Sequence, residues 1–159
     1  MMNFLKKSPL ILLSLLSLTI YSCNQGSGTK APVKSADTVF RLSCYRAIDG
    51  KDTAFLQLKD FKKRTEGTLL FKFFKKAKND GDLKGTYKGD TLFVNYGYHV
   101  GNESAWHINP VALLKKDGKL IMGVGKIGYL LGIPYFDKKV PIDFNAGRFT
   151  FEPVECTNK

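Results

Sequence analysis

The sequence lacks the motifs from which most enzymes can be recognised. It has no G-x-S-x-G nucleophile elbow, no glycine-rich phosphate loop and no H-E-x-x-H zinc motif. Histidine is limited to two residues, and the 14 acidic residues are scattered along the chain, so a pair of catalytic carboxylates is not indicated. No pattern for a cofactor is present either. We therefore expect a protein that is not an enzyme and that needs no cofactor.

Long helical patterns, low-complexity tracts and internal repeats are absent as well. Short stretches of alternating apolar and polar residues recur instead, separated by Gly, Asn and Asp, which is typical of antiparallel strands. The predicted strands are 38–46, 53–60, 65–75, 82–88, 91–98, 105–115, 119–125 and 148–156. Strands at this spacing predict an all-β domain, a single antiparallel meander that closes into a small barrel of about eight strands. A β-sandwich is the alternative.

The clearest hairpin runs from Leu83 to Tyr98. Its two halves alternate on either side of Gly89-Asp90, and glycine at the first turn position accepts the positive φ of a type II′ turn. Residues 79–81, Asn-Asp-Gly, predict another turn, and Pro110 predicts a bulge or a sheet edge. The residues expected to face the interior are Ala54, Leu56, Leu58, Leu69, Phe71, Phe73, Leu92, Val94, Tyr96, Val111, Leu113, Leu120, Met122 and Val124.

The first 22 residues have the organisation of a lipoprotein signal peptide. Lys6-Lys7 precede an apolar run from Pro9 to Ile20, which is too short to span a bilayer comfortably. Ser22-Cys23 then resembles the lipobox of bacterial lipoproteins, where cleavage leaves a diacylated cysteine. We predict a lipoprotein signal over 1–22 and lipidation of Cys23. The alternative is an ordinary secretory signal, with Cys23 left as a free thiol.

Cleavage before Cys23 would leave two parts. Residues 23–37 are polar and without periodicity, which predicts a flexible tether, and residues 38–159 are long enough for one β-barrel domain with one core. The anchor predicts a cell-envelope protein, associated with the outer membrane and facing the periplasm. The whole chain has a formal net charge of +11. The mature domain keeps +9, because the two signal lysines leave without an acidic residue.

Cys44 and Cys156 remain once Cys23 is assigned to the anchor. One lies near the start of the first predicted strand and the other near the end of the last, and an even pair in an oxidising compartment suggests a disulfide. If those strands are neighbours, as in a closed barrel, the bridge would join them at the closing seam. Two buried free thiols are the alternative.

Several stretches together resemble a family of small Bacteroidota lipoproteins. They are Cys44-Tyr45, the run from Gly85 to Leu92 with Tyr96, the run from Val111 to Lys116, Gly123-Val124-Gly125 and Cys156. The resemblance implies a lipid-anchored β-barrel-like domain, and it supplies neither an activity nor a catalytic residue. The chain departs from the family pattern between Trp106 and Pro110, and its 126–136 segment is unusually apolar.

The lysines point to a binding function. Lys75, Lys76 and Lys78, which we call the basic rim, lie in the turn that enters the central hairpin. Basic residues interleaved with aromatic ones can bind nucleic acid, but at the cell envelope the expected partners are anionic lipid, lipopolysaccharide, acidic glycan or a protein. A solvated face that serves solubility is the alternative.

Three further groups are candidates for chemistry or binding. His99, Glu103 and His107 share a four-residue spacing that would suit a metal on a helix, but their Gly- and Pro-rich segment predicts loop residues, with Trp106 covering the barrel mouth. No metal site is expected. The alternative is a metal site formed by these three residues. Thr38 follows Asp37 and precedes an apolar residue, which resembles the O-glycan acceptor of Bacteroidota.

The run from Ile127 to Phe136 is too apolar for an ordinary surface loop. It predicts a plug for one barrel end or, alternatively, a binding surface that includes Tyr129 and Tyr135.

The sequence thus predicts a non-enzymatic, lipid-anchored envelope protein that binds an acidic or amphipathic partner through the barrel mouth and the basic rim. Two other functions remain open. One is inhibition of a host hydrolase such as lysozyme, which the basic charge disfavours because lysozymes of that class are themselves basic. The other is carriage of a small ligand inside the barrel, which depends on the interior volume.

Overall fold

The computed structural model describes residues 39–157. The predicted signal peptide, the lipidation of Cys23 and the O-glycan at Thr38 lie outside the described residues. Within them, no helix is long and apolar enough to cross a membrane.

Ten strands form the described domain, in agreement with the predicted all-β class. They are β1 (Arg41–Asp49), β2 (Asp52–Asp60), β3 (Thr65–Lys72), β4 (Asn79–Lys88), β5 (Thr91–Val100), β6 (His107–Lys116), β7 (Lys119–Met122), β8 (Ile127–Leu130), β9 (Ile133–Phe136) and β10 (Thr150–Val154). Eight of them close an antiparallel barrel in the order β1-β10-β7-β6-β5-β4-β3-β2. The predicted eight-stranded meander is therefore confirmed, and the sandwich alternative is wrong.

Tight turns set the register of the meander. Lys88 pairs with Thr91, so Gly89-Asp90 is a two-residue loop. Gly89 has a φ of +58° and Asp90 has no positive φ. This is the combination that a type II′ turn requires. This register keeps the apolar positions of β4 and β5 on the inner face, and the predicted turn is confirmed.

The closing seam joins the first barrel strand to the last. Cys44 of β1 pairs with Val154 of β10, and a disulfide links Cys44 to Cys156 with their Cα atoms 5.2 Å apart. The predicted disulfide is confirmed, and so is its position at the seam. The seam depends on this bridge because β10 meets its other neighbour, β7, through only two residue pairs.

The core consists of the inward side chains of the barrel strands. Most residues expected inside are buried, including Leu56, Leu69, Leu92 and Leu113. Val124 is the exception, because 51% of its surface is exposed. β7 ends at Met122, and Val124 instead forms an isolated bridge with Asp143 outside the barrel ladder.

Two other local expectations have different outcomes. Residues 79–81 are not a turn, because they form the first rungs of β4 and pair with both β3 and β5. Pro110 does lie at an edge, since β7 pairs only with Leu113–Lys116 of β6. The first half of β6 therefore tolerates a residue without an N–H donor.

One end of the barrel, which we call the mouth, carries the turns at 50–51, 73–78 and 101–106 together with the segment 123–149. β7 and β10 have four and five residues, so they leave the wall incomplete on this side. The hairpin of β8 and β9 forms a separate two-stranded sheet and packs beside β6. The hairpin packs on the side of the barrel, where Phe136 meets Phe93 of β5.

Candidate functional site

A cavity of about 360 Å³ opens at the mouth. Its inner wall is aromatic: the rings of Tyr96 and Tyr98 stack with centroids 4.7 Å apart, and Phe71 lies 5.9 Å from Tyr96 and 5.2 Å from Phe149. These rings come from β3, β5 and the segment before β10, where inward positions near the mouth are large and aromatic. The volume lies within the range of roughly 300–1,000 Å³ that small-molecule sites occupy.

The rest of the wall is formed by β6, the neighbour of β5, and by the base of the β8–β9 hairpin. Val111 lines the cavity from β6, and Ile127 and Phe136 line it from the first and last residues of the hairpin. Phe136 is held by an edge-on contact with Phe93, whose ring centroid is 6.5 Å away. The cavity is therefore enclosed mainly by apolar side chains, as sites for apolar ligand groups are.

Tyr96 places a polar group in this apolar wall. Its side chain is 2% exposed, and no described residue lies within hydrogen-bond distance of its hydroxyl. The hydroxyl of the neighbouring Tyr98, in contrast, accepts a hydrogen bond of 3.1 Å from Asn109 Nδ2. Burial, and to a smaller extent Asp80 and then Tyr98, raises the pKa of Tyr96 well above its ordinary value. Tyr96 is thus a neutral donor whose bonding capacity the protein leaves unused.

We expect Tyr96→Phe to leave the unliganded protein as stable as before or more stable. An unsatisfied buried hydroxyl costs about 1–3 kcal/mol, and the substitution removes it while keeping the ring. Urea denaturation of the two proteins measures the difference. Tyr98→Phe is the matched control, because it breaks the bond from Asn109 and should lower the free energy of unfolding. A loss above about 1 kcal/mol for Tyr96→Phe would contradict an unused hydroxyl.

A second, more polar depression of about 430 Å³ adjoins the cavity. The two share Phe73, Asn79 and Arg148 in their walls, and the polar depression adds Asp52 and Lys76. The mouth therefore combines an apolar interior with a polar, cation-bearing rim.

Arg148 forms ion pairs with two aspartates at the rim. Its Nε donates to Asp49 Oδ2 and its Nη2 donates to Asp52 Oδ2, both at 2.7 Å, and Asp52 Oδ1 accepts a 2.7 Å hydrogen bond from the backbone N–H of Phe74. The Phe74 N–H, followed by Arg148, holds the pKa of the Asp52 carboxyl below its usual value, so Asp52 is ionised at neutral pH. One guanidinium between two carboxylates leaves this cluster with a net charge of −1, so the positive charge available at this rim comes from lysine.

The basic rim lies in the predicted turn, beside the cavity, but its three lysines differ in their contacts. Lys76 lines the polar depression. Lys75 has a φ of +57°, and its Nζ lies 5.4 Å from the Phe74 ring centroid. Lys78 is paired with Asp80 at 2.8 Å, so its charge is largely compensated. Lys76 and Lys75 are therefore the members best placed to meet an anion.

Trp106 does not cover the mouth, contrary to the prediction. Its indole lies against the outer face of β5, where Gly97 has no side chain and a Cβ would collide with the ring. The edge-on contact with His99, at 4.8 Å between ring centroids, keeps it there. Trp106 does not line either depression.

The three residues of the alternative metal site, His99, Glu103 and His107, do not converge on one point. His99 Nδ1 lies 3.0 Å from the Ala105 carbonyl oxygen, and Glu103 approaches His107 only at 4.0 Å, while His107 stacks on Tyr98. No group of three His, Cys, Asp or Glu residues within 39–157 is arranged to hold a metal ion.

Tyr129 and Tyr135 belong to the β8–β9 hairpin, and neither lines the cavity. The hairpin does not plug the barrel as predicted, because its distal half is exposed to solvent. Arg148 and Asp52 are functional candidates that the sequence did not reveal. They lie 96 residues apart, and only the closed barrel brings them together.

The fold and the site define a class: a small, disulfide-closed antiparallel barrel with an aromatic cavity at one end and lysines beside it. Comparison of the chain with protein families, with curated proteins and with solved structures finds no match.

Proposed function

We propose that this protein is a non-enzymatic, lipid-anchored binding protein of the cell envelope, and that it takes an acidic amphipathic ligand at the barrel mouth. The apolar part of the ligand enters the cavity, and its anionic group lies at the polar depression beside Lys76. Lipidation of Cys23 holds the domain at the membrane, where anionic amphiphiles such as lipids and lipopolysaccharide are abundant. Nucleic acid is not a partner in this proposal.

The observation that carries the proposal is that the two depressions are neighbours at the same end of the barrel. Phe73, Asn79 and Arg148 belong to the walls of both, so an elongated ligand at the mouth would meet an apolar surface at one end and a polar one at the other. An apolar cavity alone would suit a neutral ligand, and surface lysines alone would suit solubility. Their junction favours a ligand that has both an apolar and an anionic part.

The Tyr96 hydroxyl does not contribute to ligand selectivity, because it is buried away from the accessible surface of the cavity. Inhibition of a host lysozyme gains no comparable support, because a basic surface beside the mouth would meet a basic enzyme.

Reversal of the basic rim tests the anionic half of the site. In the mature chain, residues 23–159 with Cys23→Ser, the triple change Lys75→Glu, Lys76→Glu and Lys78→Glu should weaken binding of n-decyl phosphate about tenfold, because the charges that face the phosphate change sign. Binding of n-decanol, which has no charge, should stay the same. The unfolding midpoint should hardly move, since exposed charges contribute little to stability. Titration calorimetry measures both affinities.

The matched control reverses three exposed lysines at the opposite barrel end, Lys62, Lys63 and Lys116, and so changes the net charge equally. This control should bind n-decyl phosphate as the parent does. Equal losses in both triple variants would show that net charge alone acts. If the parent binds neither probe at low salt, the proposed function is wrong.

A further inference from the structure

The β8–β9 hairpin is an apolar projection that the barrel does not need for its own core. Its ten residues, Ile127–Phe136, include no charged side chain. One face of it packs on the barrel through Phe136 at the base and through Pro134, which is buried and pairs with Tyr129 next to the tip. Toward the tip, Leu131 is 96% exposed, Tyr129 71% and Leu130 66%. An exposed apolar cluster of this kind marks an interaction site, because isolated apolar residues are common on surfaces but contiguous ones are not.

The residue at the first position of the tip turn is unfavourable for folding. Leu130 pairs with Ile133, so Leu131-Gly132 is a two-residue turn, and both residues have positive φ, +50° and +79°. Such a type I′ turn favours Asn, Asp or Gly at its first position. The chain's other turn of this geometry has the usual pair, Asp117-Gly118, with φ of +51° and +77°. The turn geometry therefore does not explain why leucine occupies position 131.

Both faces of the distal hairpin are apolar. Leu130 and Ile133 are register partners and share one face, Tyr129 lies on the other, and Leu131 occupies the turn between them. The barrel covers only Pro134 and Phe136 on the Tyr129 face, so the apolar side chains on the other face and at the tip have no partner among the described residues. A lipid layer surrounds the inserted part and accommodates apolar groups on every side.

The residues at the base of the hairpin suit the surface of an anionic lipid layer. Lys126 precedes β8, and Lys138 and Lys139 follow β9, both of them exposed. Lys126 is paired with Asp137 at 3.5 Å between Nζ and Oδ2, which leaves the other two lysines to meet lipid phosphates. Tyr129 and Tyr135 lie between this base and the leucine tip. Tyrosine favours that depth, because its ring is apolar and its hydroxyl remains in the headgroup layer.

We propose that the β8–β9 hairpin inserts its distal end into the surface of an anionic lipid layer. A four-residue strand is about 13 Å long, which matches the roughly 5–10 Å depth of interfacial insertion plus the headgroup contacts. This inference does not depend on ligand binding in the cavity.

The first test uses Leu131→Asn in the mature chain, residues 23–159 with Cys23→Ser, and vesicles of equal parts phosphatidylglycerol and phosphatidylcholine. Asn-Gly is the preferred type I′ pair, so the thermal midpoint should stay the same or rise. Vesicle affinity in co-sedimentation should fall about tenfold, because one leucine no longer leaves water. The control Ile48→Thr removes an exposed apolar side chain on β1, away from the hairpin, and should bind as the parent does.

Unchanged binding of Leu131→Asn would overturn the proposal, and so would an equal loss in Ile48→Thr, which would indicate general adhesion. Sedimentation of the parent as a dimer that Leu131→Asn converts to a monomer, without vesicle binding by either, would assign the tip to a second copy instead.

A second readout reports insertion directly. Trp106 is the single tryptophan, so Tyr129→Trp in a Trp106→Phe background places the only indole on the hairpin. Vesicles should shift its emission to shorter wavelength, and brominated lipid chains should quench it. Vesicle binding with neither effect would mean that lysines alone hold the protein to lipid, which contradicts insertion.

Discussion

Replacement of both Cys44 and Cys156 by serine should lower the free energy of unfolding by about 3–5 kcal/mol. The disulfide spans 112 residues, nearly the whole described domain, and a loop of that size gains much conformational freedom when it is opened. The folded seam also weakens, because β10 has only two residue pairs with β7 to hold it on the other side. Urea denaturation of the double variant and of the parent measures the change.

The parent treated with reductant serves as the matched control, because it loses the same bridge without a substitution. It should unfold at nearly the same urea concentration as the double variant. A difference below about 1 kcal/mol between the parent and the double variant would contradict the role of the bridge at the seam.

Val111→Phe should lower the affinity for n-decyl phosphate about a hundredfold. The added ring would occupy the cavity and displace about four ligand methylenes, each worth about 0.8 kcal/mol of apolar burial. Stability should also fall, by about 1–3 kcal/mol, because Val111 belongs to the buried core and the larger ring overpacks it. Calorimetry of the Cys23→Ser chain with and without the substitution measures the affinity.

Val94 provides the structural contrast because it pairs with Val111 in the β5–β6 ladder but does not line the cavity. Val94→Phe should cost about 1–3 kcal/mol through overpacking. Val154→Phe, at the far end of the barrel, is the binding control and should leave the affinity unchanged. If Val111→Phe binds the probe as the parent does, the ligand does not enter this cavity.

Local patterns were sufficient to predict the barrel. Alternation fixed which face of most strands is inside, Gly89-Asp90 defined the central hairpin, and the positions of Cys44 and Cys156 indicated which strands close the sheet. These features depend on neighbours in sequence or on one covalent link, so they are readable without coordinates. Residues 79–81 misled the prediction because tertiary pairing extended β4 through an Asn-Asp-Gly sequence that usually forms a turn.

The β8–β9 hairpin was missed for a specific reason. Its turn, Leu131-Gly132, lacks the Asn or Asp that normally marks a type I′ turn, so the segment was interpreted as one apolar plug. The same departure from the usual turn chemistry now indicates a function for the tip. A residue that departs from the usual turn chemistry is expected at sites where function, rather than folding, selects the residue.

The candidate site was only partly predictable. The basic rim was assigned from charge and position in a turn, and its place beside the cavity agrees with that assignment. The clamp of Arg148 with Asp49 and Asp52 could not be predicted, because it joins residues 99 and 96 positions apart. Trp106 was misplaced because nothing in the local sequence shows that Gly97 leaves a space on the outer face.

The most direct measurement of ligand binding at the mouth is a nuclear magnetic resonance titration of the isotope-labelled Cys23→Ser chain with n-decyl phosphate. The proposed function predicts saturable shifts in the amides of Phe73, Lys76 and Tyr96, with small changes at Lys62 and Lys63 on the opposite barrel end. Shifts that concentrate at Lys62 and Lys63, or that never saturate, would contradict an amphiphile site at the mouth.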